Sequence, residues 1–88
     1  MKVYNMTSER TGREIANQFI IEDGGKVYFQ SYKTIIAMKK AGKITIDTNA
    51  ENYSRTTSKY LYQFLNTDRK SLLQDVKAGR IIRANLNA

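Results

Sequence analysis

The sequence predicts an α+β fold, an antiparallel sheet of about four to six strands packed against two helices in the C-terminal half. Two N-terminal hairpins and one C-terminal strand supply the sheet. Three observations carry this reading. Residues 16–31 alternate in side-chain character on either side of Asp23-Gly24-Gly25. Residues 53–66, YSRTTSKYLYQFLN, place their apolar groups at helical intervals. Residues 80–86, RIIRANL, follow a glycine stop and read as a last strand.

Taken in order, residues 2–5 are short and suit an edge strand, and the polar residues 7–14 (TSERTGRE) read as a loop. In residues 16–22, Asn17, Phe19 and Ile21 face one way and Gln18 and Ile20 the other. Asp23-Gly24-Gly25 reverses the chain, because glycine accepts the positive φ of a tight hairpin turn. Alternation then resumes, with Val27 and Phe29 opposite Tyr28 and Gln30. Residues 34–40 (TIIAMKK) fit either a helix ending at Gly42 or a strand turning at Ala41-Gly42. The run Thr34-Ile35-Ile36 and the following KITID favour a second hairpin, since β-branched side chains suit a pleated surface.

Residues 47–53 form a polar connection. Ser54 or Thr56 then caps a helix by accepting an orphan backbone N–H. Thr57, Tyr60, Leu61 and Phe64 share one side of that helix, with Leu65 on the flank; Arg55, Lys59, Tyr62 and Asn66 fall on the opposite side. A second helix is expected to start at a Thr67 cap, with Asp68 at the positive end of its dipole. Leu72, Leu73 and Val76 make its apolar face, and Gly79 ends it.

The 88 residues allow one domain, 1–88, which buries roughly 60–65% of its unfolded surface and leaves little room for a deep cleft. Cys, His, Trp and Pro are absent. Disulfides, thiolate nucleophiles and a zinc site are therefore excluded, as is the commonest acid–base group at neutral pH. Asp23-Gly24-Gly25-Lys26 lacks the spacing and the following helix of a phosphate loop. We expect no catalytic residues, no metal and no cofactor. No stretch approaches the roughly 18 apolar residues of a membrane span, and MKVYNMTSER lacks the apolar run of a signal peptide. No membrane partner and a cytoplasmic location are the expectation.

The net charge of +7 is unevenly spread. Residues 1–23 carry three bases and four acids, residues 24–47 five and one, residues 54–88 seven and two. Such asymmetry suits a basic patch for an acidic partner, and it also serves solubility. Two candidate binding sets follow. Arg55, Lys59, Tyr62 and Asn66 combine charge, an aromatic plane and an amide, the residue types that anchor interfaces, although many basic helix strips are simply solvated. Lys39, Lys40 and Lys43, with Lys33 nearby, cluster at the tip of the second hairpin, where they can follow phosphates or guard the turn against aggregation. Tyr28, Gln30 and Tyr32 share a strand face suited to base stacking, but large side chains on a half-buried sheet more often pack under helices.

The blocks NQFII (residues 17–21), YFQSY (28–32), TIIA (34–37), GKITID (42–47) and YSRTTSKYLYQFL (53–65) occur in order. Together they resemble an uncharacterised family of small bacteriophage-encoded proteins. That resemblance transfers no catalytic residues. It implies an accessory factor, at work in an infected or lysogenic bacterial host, that binds and redirects a host protein or ribonucleoprotein complex. Inhibitors of CRISPR or other defence nucleases are one such class. The alternatives are a basic module acting directly on DNA or RNA, and a structural virion-associated protein.

Overall fold

The computed structural model describes residues 1–50 and 53–87; residues 51 and 52 of the 47–53 connection lie outside the described residues. The elements are β1 (Lys2–Thr7), β2 (Glu14–Asp23), β3 (Lys26–Ser31), β4 (Thr34–Lys40), β5 (Lys43–Asp47), α1 (Arg55–Leu65), α2 (Arg69–Lys77) and β6 (Ile81–Ala84). They form one six-stranded sheet in sequence order. Strands β1 to β5 are an antiparallel meander, and β6 joins β5 in parallel. A parallel neighbour needs a long crossover, which α1 and α2 supply. The fold is α+β, and residues 34–40 are a strand.

Turn chemistry sets the register. Gly24 and Gly25 sit at φ 55° and 86° between the paired Asp23 and Lys26. Ala41 and Gly42 take φ 50° and 76° between Lys40 and Lys43. Two-residue turns of this hand match the twist of the strands they join. The residue 8–13 loop is held by Ser8, whose backbone N–H donates to the Arg13 carbonyl at 2.8 Å and whose Oγ accepts from the backbone of Arg10 and Thr11.

One face of the sheet carries the core. Phe29, Ile36, Ala37 and Ile46 from the sheet meet Leu61, Phe64, Leu65 and Leu72 from the helices, all buried. The Phe29 and Phe64 rings lie 5.7 Å apart in a tilted pair. A bulge decides which side of β4 points inward. Phe29 pairs with Ala37 but Gln30 with Ile35, so Ile36 is an extra residue. Ile36 and Ala37 both turn into the core, and the alternation beyond them inverts.

Val27, Phe29 and Ser31 take the helix-covered side of β3, which puts Tyr28 and Gln30 on the opposite face. The expectation that Tyr28, Gln30 and Tyr32 pack under the helices is therefore corrected. Tyr32 is exposed at φ 56° in the β3–β4 turn.

The helix ends follow their caps. Ser54 Oγ accepts from the Thr57 N–H, and Asn66 ends α1 in the left-handed region at φ 54°. The second cap falls at Asp68 rather than Thr67: its carboxylate accepts from the Ser71 N–H at 2.7 Å. An ionised carboxylate accepts more strongly there than a hydroxyl. That bond, with the Ser71 hydroxyl, holds the Asp68 carboxyl below its ordinary range. Leu73, expected inside, is 38% exposed, because the nine-residue helix has room for one buried row through Leu72, with Val76 packed on the core edge.

Asp47 closes the sheet end. Its carboxylate accepts from the backbone N–H of Leu86 and Asn49, from Tyr53 Oη and from Asn87 Nδ2. Asn87 in turn brackets Ile35, accepting from its N–H at 2.7 Å and donating to its carbonyl at 3.0 Å. Burial of Asp47 opposes ionisation, but these four donors outweigh it and hold the carboxyl below its ordinary value of 3.8. A depressed folded-state pKa gives stability that is complete above the ordinary value and lost as pH falls through the folded one. Acid titration of unfolding from pH 6 downward should therefore show a loss in the parent below about pH 4 that Asp47→Asn largely lacks. At pH 6 the variant should be less stable by about 1–3 kcal/mol.

Gln18 is 1% exposed beneath the helices, and its Oε1 has no hydrogen-bond partner among the described residues. An unpaired buried acceptor costs more than an apolar group of the same shape. Gln18→Met should raise stability by about 1 kcal/mol, read as a higher urea midpoint at unchanged slope.

Candidate functional site

The residues expected on the outer face of α1 fall into two neighbouring depressions. Tyr53, Arg55, Ser58, Lys59, Tyr62 and Arg69 line one of about 530 Å³. Lys59, Tyr62 and Asn66 also line a second of about 220 Å³, with Glu9, Gln63 and Thr67. Arg55, Lys59 and Tyr62 follow one another at i, i+4 and i+7, so a single helix face presents them. The structure thus brings the four expected residues together.

It also adds Arg69, the first residue of α2. The left-handed Asn66 and the Asp68 cap reverse the chain within a few residues, which lays the start of α2 beside α1. That placement depends on the tight helix–helix connection, whose only sequence signals are Asn66 and the capping residues.

Charge dominates this surface. Arg55, Lys59 and Arg69 have no carboxylate partner among the described residues; the one ion pair among them is Arg80–Asp75 at 2.8 Å. The first turn of α1 holds no acidic residue, so the positive end of its dipole is not offset there. Lys59 Nζ lies 5.4 Å from the centroid of the Tyr60 ring. Tyr62 plays two parts, lining both depressions while its ring packs against the core cluster. It is not a purely outward residue. Chemically, the surface offers fixed cations, hydroxyls and aromatic planes, a set suited to holding an anionic group. Among the described residues no cluster of His, Cys, Asp or Glu forms a metal site.

The hairpin lysines divide. Lys40 and Lys43 are exposed and directly paired across the β4–β5 turn, and Lys26 pairs with Lys40 on the other side. Lys39 leaves this group. The bulge at Ile36 turns it to the helix-covered face, where Nζ lies 4.3 Å from the Phe64 ring centroid and donates to the Phe64 carbonyl. Burial pushes its pKa down. It satisfies one of the last orphan carbonyls of α1, so it is a structural residue that caps the helix. Lys33 sits in the β3–β4 turn, at the far end of β4 from the lysine pair.

The fold and this surface define a small single α+β domain with a basic, tyrosine-bearing helical face. The chain belongs to a family of unknown function, DUF8033, whose profile spans residues 1–79. No curated protein and no solved structure matches the chain significantly.

Lys39→Ala should lower stability by about 1–2 kcal/mol, through loss of the helix-end hydrogen bond and the contact with Phe64. Lys40→Ala and Lys43→Ala should each change it by less than about 0.5 kcal/mol. Denaturant titration of the three variants checks the division between one structural and two solvated lysines.

Proposed function

We propose that the chain is a non-enzymatic binding protein that docks the α1–α2 surface onto acidic groups of a partner protein or ribonucleoprotein complex. One observation carries this reading: Arg55, Lys59 and Arg69 converge around a single depression with Tyr53 and Tyr62, and none of the three forms an ion pair among the described residues. Arginine and tyrosine bury large areas at little rotamer cost and keep a polar end, which is why they anchor interfaces. The resemblance to small phage-encoded proteins supports an accessory role, in which the chain covers a functional surface of a host complex such as a defence nuclease. Inhibition is then steric and needs no chemistry from the chain.

A second reading is direct binding of DNA or RNA. The three cations beside the Ser58 hydroxyl favour it, because the same groups hold phosphate oxygens.

Affinity capture from a bacterial host lysate, with and without nuclease treatment, separates the two. A protein retained after nuclease supports the first reading, and loss of all capture supports the second. Arg55→Ala with Arg69→Ala should weaken capture by about 2 kcal/mol or more without unfolding the chain. Tyr62→Ala is a poorer test because it also removes core packing. Capture unchanged in the double variant would remove this surface from both readings. In gel-shift titrations, the second reading further requires at least a tenfold fall in affinity between about 50 and 200 mM salt.

A further inference from the structure

The helices cover one face of the sheet, and the opposite face carries a second apolar layer. Register places Val3, Ile21, Tyr28, Met38, Thr45 and Ile82 side by side, one from each strand, in a row that crosses the whole sheet. Next to this row, Asn5, Phe19, Gln30 and Ile35 form another. None of these ten side chains is charged. Val3 and Ile82, at the two edges, are 55% and 53% exposed. Phe19, Ile21, Tyr28, Ile35 and Met38 are half-buried, yet none packs against the core cluster. Their shielding comes from one another. A contiguous apolar surface of this kind, rimmed by polar groups, marks an interaction site.

We propose that this face packs against the same face of a second copy of the chain, forming a two-fold dimer of sandwiched sheets. Charge argues for a protein occupant. The centre of the patch is free of charge; Lys26, Lys40 and Lys43 stand at one end of it and Lys33 in the turn beyond the other, the distribution of a protein interface with an apolar core and a polar rim. A nucleic acid needs cations along its whole track.

Size argues for a partner with an equally broad, flat surface. Ten residues of β2 span about 33 Å and five strand spacings about 24 Å, close to the two longer extents of the domain, 34 and 28 Å. An ellipse on those extents, the outline of the whole face around the patch, covers at most about 750 Å², against the roughly 800 Å² that each partner gives to a stable interface. A second copy supplies a face of equal size and equal twist, and aligned sheets pack at about 30° with interdigitating side chains. A two-fold axis lying between the sheets, perpendicular to the strands, keeps the two Lys26, Lys40 and Lys43 clusters at opposite ends of the interface, each over the Asn5 and Gln30 end of its partner.

Sedimentation velocity of the full chain from 1 to 200 μM tests the proposal, with Met38→Glu at the patch centre and Ile82→Glu at its exposed edge as variants. The expected result is a species of twice the 10.1 kDa monomer mass, with the dissociation constant raised at least 100-fold in each variant while circular dichroism stays native. A parent that remains monomeric at 200 μM overturns the proposal. So does a dimer that both folded variants leave intact, since it then uses another surface. If a monomeric parent binds a single-stranded oligonucleotide, and Phe19→Ala or Tyr28→Ala abolishes that binding, the face belongs to nucleic acid and the proposal falls.

Discussion

The seating of α1 on the sheet is the constraint on which the rest of the structure depends. Leu61 is fully buried and the Phe64 ring meets Phe29, which supplies the packing energy along the middle of the helix. Directional bonds then fix both ends. At the N-terminus, the buried Ser31 and Thr57 hydroxyls lie 2.9 Å apart, and Ser54, the cap, bonds both the Thr57 hydroxyl and its N–H. At the C-terminus, Lys39 reaches from the sheet to the Phe64 carbonyl. Hydrophobic contact alone tolerates some roll and slide of a helix; hydrogen bonds at both ends do not. The azimuth of Arg55 and Lys59 is set by these bonds, so the basic surface is preorganised by groups that never touch a partner.

The same seating leaves the sheet two-faced. A sheet with one solvated face normally alternates apolar and polar residues. Here Val27, Phe29 and Ser31 serve the helix side of β3 while Tyr28 faces away beside Ile21 and Met38, so both faces are apolar near the centre. The row from Val3 to Ile82 is therefore an excess over what the monomer's core uses. No helix remains in the described chain to cover it.

Much of this was legible in the sequence. The alternation of residues 16–31, the Gly24-Gly25 reversal, the Ser54 cap and the Leu61–Phe64 side of α1 all follow from local periodicity and turn chemistry, which do not depend on distant contacts. The expected grouping of Arg55, Lys59, Tyr62 and Asn66 was legible for the same reason. Features that depend on one residue of register were not. The bulge at Ile36 inverts the alternation of β4 and sends Lys39 under the helix, and nothing in TIIAMKK announces the extra residue. Arg69 joined the site only because the α1–α2 reversal is tight. Periodicity identifies two sides of a strand, but which side the helices cover is a tertiary choice. Tyr28 was misplaced on that account.

The two surfaces are distinct in kind as well as position. Arg55, Lys59 and Arg69 concentrate charge on the helical side, while the far side of the sheet excludes charge from its centre. In a dimer closed through the sheets, the helices lie on the outside and the two basic depressions face away from each other. Mutual repulsion between them is then weak, because the two-layer thickness of each subunit separates them by well over a Debye length of about 8 Å at physiological ionic strength. Such an assembly is bivalent. On a partner with repeated acidic sites, the second contact forms at an effective concentration set by a rigid span, so a modest single-site affinity becomes strong attachment without any further contact in the monomer. This arrangement reconciles a high net charge with self-association. Arg55, Lys59 and Arg69 sit on the faces that pairing leaves exposed, while Lys26, Lys40 and Lys43 stand at the end of the paired face and not at its centre.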